Sequence, residues 1–106
     1  MTESRLLFEV MQELGKHGAV YRCNSGQLKM ANGKYFRAMP KGFADILFIR
    51  ADGKACFVEV KKGNGRLAPE QAKFLERMRE LNAVAGVVRS VNEAMVLCGL
   101  HGAYKH

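Results

Sequence analysis

Two acids and a lysine lie at spacings that would let them share one face of a β-sheet. In the stretch FVEVKKGNGR, Glu59 and Lys61 alternate with the apolar Val58 and Val60. Alternation in a strand points successive side chains to opposite faces, so Glu59 and Lys61 would share the face opposite to the valines. A surface salt bridge is the simplest interpretation of this pair. A catalytic interpretation depends on what the neighbouring strand brings to the same face.

The preceding turn decides which residue faces Glu59. A three-residue loop, Ala51-Asp52-Gly53, is a common hairpin type and would pair Arg50 with Lys54. Counting back from that pair places Asp45 directly opposite Glu59, whereas a two-residue turn shifts the register by one and separates the two acids. In the first register two carboxylates face each other and form an oxygen-rich site suited to Mg²⁺, with Mn²⁺ as a substitute.

Helical periodicity adds two polar candidates. At about 100° per residue, Glu3 falls at the centre of the apolar stripe of the first helix, while Glu9 and Glu13 fall outside it. The helix dipole also favours an acid in the first turn, so Glu3 has an electrostatic and a functional interpretation. Gln71 lies in the middle of the apolar face of a later helix, where it would either fold back to cap that helix or need a buried hydrogen-bond partner.

The elements that carry these residues follow from capping and turn signals. We predict helices from residue 2 to about 14, from 70 to 82 and from about 90 to 97. Asn32-Gly33, between LKMA and KYFRAM, predicts a two-residue hairpin turn. The order is α-β-β-β-β-α-β-α, and its last βαβ step suits a right-handed parallel crossover. The sequence thus predicts one α/β domain over residues 1–106 with a mixed central sheet, ending in a flexible tail from about 99 to 106.

The charge and the apolar content of the chain indicate which classes of partner it could bind. The 106 residues include 17 Lys and Arg against 10 Asp and Glu, and this net charge of +7 favours a polyanion, nucleic acid first. The apolar runs are far shorter than the roughly 20 residues that span a bilayer, and the acidic start MTESRLLFEVMQEL does not resemble a signal peptide. We therefore expect a soluble, cytoplasmic protein that does not bind a membrane. The cysteines and histidines show no complete zinc spacing.

Basic residues precede and follow the acids in loops and hairpins. Scattered solvated charge is the default interpretation, but loops that bracket a metal site also suit phosphate contacts. The basic residues concerned are Arg22, Lys29, Lys34, Arg37, Lys41, Lys62 and Arg66.

Four short blocks occur in a fixed order along the chain. They are Arg22-x-Asn24-Ser25-Gly26, Lys41-Gly42-x-x-Asp45, Glu59-x-Lys61 and Gly65-Arg66-Leu67-x-Pro69-Glu70-Gln71. Together they resemble the PD-(D/E)xK nuclease superfamily, and more narrowly its virus-type replication-repair nuclease (VRR-NUC) family in the short, stand-alone, phage-like form. The resemblance extends from Glu3 to about Val91. Ala44 and Ala68 depart from it, standing where a proline and a Ser or Thr helix cap would be expected.

The resemblance implies a sheet flanked by helices and divalent-metal cleavage of phosphodiester bonds. The catalytic residues that it implies are Glu3, Asp45, Glu59, Lys61 and Gln71. The implied metal ligands are Asp45, Glu59, the Val60 carbonyl and, as a further candidate, Glu3. Asn24 and Ser25 of the first block join the basic residues as DNA contacts. Small stand-alone members resemble Holliday-junction resolvases and tend to be homodimers, in a bacterial or phage-infected cell.

Three hypotheses follow. The first is a structure-selective DNA endonuclease acting on branched or four-way DNA in replication, repair or recombination. The second is a non-catalytic nucleic-acid-binding module, which would explain the charge but would not need acids where they repel phosphates. The third, a metal-free structural ion-pair cluster, explains least.

Overall fold

Three helices and six strands form in the part of the chain that the computed structural model describes, residues 1–23, 27–37 and 39–100. In chain order they are α1 (Glu3–Leu14), β1 (Gly18–Arg22), β2 (Gln27–Lys29), β3 (Tyr35–Arg37), β4 (Ile46–Arg50), β5 (Ala55–Val60), α2 (Pro69–Glu80), β6 (Val84–Val88) and α3 (Val91–Leu97). Five strands precede α2, one more than the predicted order contains, and the hairpin β2–β3 forms a separate two-stranded sheet. None of the described helices is long and apolar enough to cross a bilayer.

The main sheet has the order β1-β4-β5-β6, with β5 and β6 parallel and the other neighbours antiparallel. The β5-α2-β6 crossover and the mixed α/β sheet flanked by helices are as predicted. Alternation along β5 divides the core between the two faces of this sheet. Val58 and Val60 pack with α1 and α3 on one face, while Phe57 packs with α2 on the other. Glu59 belongs to the α2 face.

The turn between β4 and β5 is the three-residue loop that the sequence predicts. The Arg50 amide donates to the Lys54 carbonyl at 2.9 Å, and Gly53 has φ +88°, a left-handed conformation that glycine adopts without strain. The register Ile46↔Val58 and Ile49↔Ala55 follows from this turn. The predicted pairing of β4 with β5 is therefore confirmed.

The predicted two-residue turn at Asn32-Gly33 is wrong. The Met30 amide donates to the Lys34 carbonyl at 2.6 Å, so the loop has three residues and begins at Ala31. Gly33 has φ +84°, and the Asn32 side chain accepts from the Lys34 amide at 3.0 Å. This is the same construction as in the β4–β5 turn, where Asp52 takes the place of Asn32.

The packed part of the chain extends to Leu100, one residue beyond the predicted start of the flexible tail. Leu100 packs against the main core, and its amide donates to the Met95 carbonyl at 2.7 Å. Residues 101–106 lie outside the described residues, so the flexible tail stays a prediction for them.

A close backbone approach joins the segment before β4 to the start of α2. Gly42 has φ +90°, and a Cβ placed there would lie 2.6 Å from the Glu70 carbonyl oxygen.

We expect Gly42→Ala to lower the free energy of unfolding by about 3 kcal/mol, through left-handed strain and overpacking together. Gly53→Ala is the matched control, because Gly53 is also left-handed but has open space around it. The free energy of unfolding of Gly53→Ala should fall by only about 1 kcal/mol. Urea unfolding measures both variants, and equal losses would contradict the role of the close approach.

Candidate active site

Asp45 and Glu59 are interlocked across the β4–β5 hairpin. One step beyond the Ile46↔Val58 pair, the register sets Asp45 opposite Glu59. The Asp45 amide donates to Glu59 Oε1 at 3.1 Å, and the Val60 amide donates to Asp45 Oδ2 at 2.9 Å. Each carboxylate is therefore held by a main-chain amide of the opposite segment. This is the face-to-face arrangement of acids that the three-residue turn predicts.

Glu59 is a buried acid with a displaced pKa. Its side chain is 3% exposed. Burial first, and then the negative charge of Asp45, raise the pKa of Glu59 to about 7, while the positive charge of Lys61 acts in the opposite direction. A carboxyl group in this state binds a proton or a cation readily near neutral pH.

An aromatic cluster packs on the same side of the sheet as Glu59. Phe43, Phe57 and Phe74 contact one another with ring centroids 4.5 to 5.9 Å apart. Phe57 lies two residues before Glu59 in β5 and so occupies the same face. The rings cover this face between the sheet and α2.

Lys61 continues the face one step past Glu59. Its Nζ lies 3.8 Å from Glu59 Oε2, and its side chain is 17% exposed. Its amide donates to the Val88 carbonyl at 3.0 Å, which extends the β5–β6 pairing beyond the end of β5. The backbone at Lys61 is thereby fixed, and the ammonium group lies beside the buried acid.

Gln71 fulfils both roles that its position suggests. Its Oε1 accepts from the Ala68 amide at 2.8 Å, which is the half of a capping box that a glutamine at the third helical position supplies. Ala68 makes no side-chain capping hydrogen bond, so the half that a Ser or Thr would supply is missing. Its Nε2 donates to Glu59 Oε2 at 2.9 Å. The same amide group therefore fixes the helix start and the orientation of the acid.

Glu3 lies apart from this group. It is exposed in the first turn of α1, where its Oε2 accepts from the Lys62 amide at 3.2 Å. Helix α1 packs on the Val58 and Val60 face, opposite to the face that carries Glu59. Among the described residues, no group of three or more His, Cys, Asp or Glu side chains could hold a metal ion. The prediction that Glu3 points toward the buried side of the domain is wrong, since Glu3 is exposed. Periodicity alone also cannot tell which face of the sheet α1 covers.

The predicted DNA-binding residues are mostly exposed. Arg22, Lys29, Lys34, Lys62 and Arg66 are exposed on strands and loops. Lys41 is exposed too, with Nζ 3.5 Å from Glu70 Oε1. Asn24, Ser25 and the side chain of Arg37 lie outside the described residues. Contact of this set with DNA stays a prediction.

Arg89 helps to shape the site through the loop after Lys61, and the sequence did not indicate this role. Its Nη1 donates to the Gly63 carbonyl at 2.7 Å and so anchors the glycine loop that follows Lys61. The signal for it is topological, because the carboxyl ends of parallel strands such as β5 and β6 meet at one edge of a sheet. A basic residue directly after β6 is therefore expected near the loop that leaves β5.

The raised pKa of Glu59, caused first by burial and then by the charge of Asp45, predicts a stability that depends on pH in metal-free buffer. Folded Glu59 keeps its proton up to about pH 7, whereas in the unfolded chain it loses it near the ordinary glutamate value of about 4.3. Between these values the folded state binds more protons, so the free energy of unfolding falls as pH rises.

Asp45→Asn removes the repelling charge, while an amide oxygen can still accept from the Val60 amide. At pH 8 we expect this variant to be more stable than the wild type by about 1 kcal/mol, and we expect the difference to shrink at pH 5. Urea unfolding at the two pH values in chelator measures this. A variant that is less stable at pH 8 would contradict it.

Comparisons with known proteins agree on one family. The model of the VRR-NUC domain family matches residues 4–92, a segment that contains Asp45, Glu59, Lys61 and Gln71 and begins one residue after Glu3. A solved structure described as a VRR_NUC domain is 27% identical and has a TM-score of 0.66. That similarity covers 92% of this chain and 94% of the other. A search of curated proteins gave no match.

Proposed function

The chain belongs to the VRR-NUC family of PD-(D/E)xK-type nucleases, and we propose that it is a Mg²⁺-dependent, structure-selective DNA endonuclease. Its substrates would be branched or four-way DNA formed during replication, repair or recombination in a bacterial or phage-infected cell. The observation that carries this proposal is that Asp45, Glu59 and Lys61 share one face of the sheet and that Gln71 of α2 contacts Glu59 there.

The donor set fits a hard divalent cation. Two facing carboxylates, one of them buried with its pKa raised to about 7, carry negative charge that a cation would neutralise. Carboxylate and carbonyl oxygens are the ligands that Mg²⁺ prefers. Asp45, Glu59 and the Val60 carbonyl would hold the ion, whereas Glu3 lies apart from them on the other side of the sheet. The ion would act as a Lewis acid on the phosphate and lower the pKa of a bound water.

Lys61 supplies the positive charge for the reacting phosphate. Its ammonium group would orient the attacking water and stabilise charge that develops on the phosphoryl oxygens. Because Glu59 lies 3.8 Å away, the ammonium is held at the site before DNA arrives. Gln71 acts through Glu59, which it orients by a hydrogen bond, and is therefore a positioning residue.

The basic residues and a second copy of the chain complete the proposal. Arg22, Asn24, Ser25, Lys29, Lys34, Arg37, Lys41, Lys62 and Arg66 would contact the DNA backbone. We propose a homodimer, because a two-fold axis could set two active sites on opposing strands of a junction. Light scattering that finds only monomers, with and without DNA, would oppose the dimer.

The decisive experiment is a cleavage assay on linear, flapped and four-way DNAs of matched length, in Mg²⁺ and in chelator. Metal-dependent cutting of the branched DNAs is the expected result. A chain that binds every DNA but never cuts any of them would instead favour the non-catalytic binding module. Cutting of linear and branched DNA at equal rates would leave a nuclease but remove the structure selectivity.

Ion substitution tests the metal directly. We expect Mn²⁺ to replace Mg²⁺ in cleavage, and we expect Ca²⁺ to support DNA binding with little cutting, since its larger and looser coordination suits the reaction poorly. Binding by gel shift and cleavage are measured in parallel with each ion. Full activity in excess chelator would refute a metal mechanism.

A further inference from the structure

The hairpin of β2 and β3, residues 27–37 and here called the arm, stands apart from the rest of the fold. Its strands pair only with each other in the described chain and form no extensive contact with another helix or strand. Its turn is nevertheless well formed, with the Met30–Lys34 main-chain hydrogen bond and the Asn32 side chain both closing it. An isolated two-stranded hairpin is marginally stable in water, so a partner that covers it would stabilise it.

The arm exposes large apolar side chains close together. Tyr35 is 64% exposed, Phe36 is 51% exposed and Met30 is 48% exposed. Single exposed apolar residues are ordinary, but three on one short projecting element indicate that the element binds a partner.

Each face of the arm combines an aromatic ring with a lysine. Lys29 pairs directly with Tyr35, so these two residues share one face. Phe36 and Lys34 lie two residues apart on β3 and just before it, and so share the opposite face. The segment 27–37 contains no acidic residue. Its charge therefore matches phosphates and repels a second copy of this basic chain.

We propose that Tyr35 and Phe36 stack on unpaired bases where the strands of a branched DNA diverge, while Lys29 and Lys34 contact the flanking phosphates. This rests on the proposed function for DNA as the substrate, but not on cleavage. Bases inside a duplex are already stacked on their neighbours, so the rings find free base faces only at a branch, a flap or a gap. Aromatic stacking accepts any base, which suits recognition of DNA shape without sequence.

The chain connection ties this contact to the active site. Ten residue steps separate Tyr35 from Asp45, a length that reaches at most about 36 Å when fully extended. At about 3.4 Å per nucleotide along a strand, the cut should fall within about ten nucleotides of the branch point. The arm would thus set both the choice of DNA and the position of the cut.

Tryptophan fluorescence tests the proposal without any chemistry, because the chain contains no tryptophan. Tyr35→Trp and Phe36→Trp each introduce one reporter at the arm. Phe8→Trp is the matched control, since Phe8 is also 51% exposed but lies on α1. In chelator, we expect four-way and flapped DNA to quench the arm reporters strongly, linear duplex of equal length to quench them little, and neither DNA to affect Phe8→Trp.

Affinity gives a second, independent measurement. Tyr35→Ala and Phe36→Ala should each weaken binding of branched DNA by roughly 5- to 100-fold and leave duplex binding nearly unchanged, with Phe8→Ala silent for both. Equal quenching by duplex and branched DNA, or alanine variants that bind branched DNA as the wild type does, would overturn the proposal. A tryptophan signal that changes with protein concentration without DNA would overturn it too, by showing that a second copy covers the arm.

The outcome separates this inference from the proposed function. Cleavage with no change in arm fluorescence would remove the arm proposal and leave the nuclease. Quenching selective for branched DNA with no metal-dependent cleavage would support the arm proposal and remove the nuclease.

Discussion

Asp45→Asn should abolish cutting of every DNA that the wild type cuts, by several orders of magnitude, while DNA binding in chelator stays intact or becomes tighter. The variant loses one negative charge, and a neutral amide replaces the carboxylate that would bind the metal. Its amide oxygen can still accept the hydrogen bond that Val60 donates to Asp45 Oδ2 at 2.9 Å, so the hairpin is preserved. The affinity for DNA in chelator is expected to rise because the variant lacks a negatively charged carboxylate that would repel the phosphates.

The measurement is a pair of assays on the same proteins, a gel-shift titration in chelator and cleavage in Mg²⁺. Binding should still weaken steeply with salt, because the phosphate contacts of the basic residues remain. Asp52→Asn is the matched control: it makes the same acid-to-amide change in the exposed β4–β5 turn, away from the site. Asp45→Asn that cuts at the wild-type rate would refute the assignment.

Lys61→Met should also lose cleavage by several orders of magnitude with the fold intact. Methionine keeps most of the aliphatic length of the half-buried side chain but removes the ammonium group that lies beside Glu59. The loss has two parts. The reacting phosphate loses its cation, and the pKa of Glu59 rises further because Lys61 normally holds it down.

The pH dependence separates these two parts. Raising the pH deprotonates Glu59 again and should restore metal binding to Lys61→Met, but it should not restore cutting at saturating Mg²⁺. Lys73→Met, on the exposed side of α2, is the control and should cut as the wild type does. Recovery of the full rate at high pH would show that Lys61 acts only through the protonation of Glu59.

The acid pair is the part of the site that the sequence predicts best, because a short turn with glycine at its end fixes a strand register. For the identical construction at Asn32-Gly33, the prediction of a two-residue turn is wrong. Both loops place an alanine before the Asx-Gly pair, and that residue enters the loop in each case. Local sequence therefore specifies the turn, provided that three residues rather than two are considered.

Contacts between distant elements could not be predicted in the same way. Periodicity gives the apolar stripe of α1, but the face of the sheet that α1 covers depends on how the whole chain packs. For that reason Glu3 meets the Lys62 amide and does not join the acids. The bond from Arg89 to Gly63 likewise joins residues brought together only by the parallel pairing of β5 with β6.

The main-chain hydrogen bonds to the two carboxylates bear on the size of the ion that the site would accept. Each acid is held by an amide of the opposite segment, so rotating either side chain away from the site breaks a main-chain hydrogen bond. The backbones that carry them are in turn held at the spacing of neighbouring strands, about 4.8 Å in any sheet. Substitutions around the site should then change the reaction rate without changing the ionic radius that it prefers. To accommodate a larger ion, the two strands themselves would have to separate.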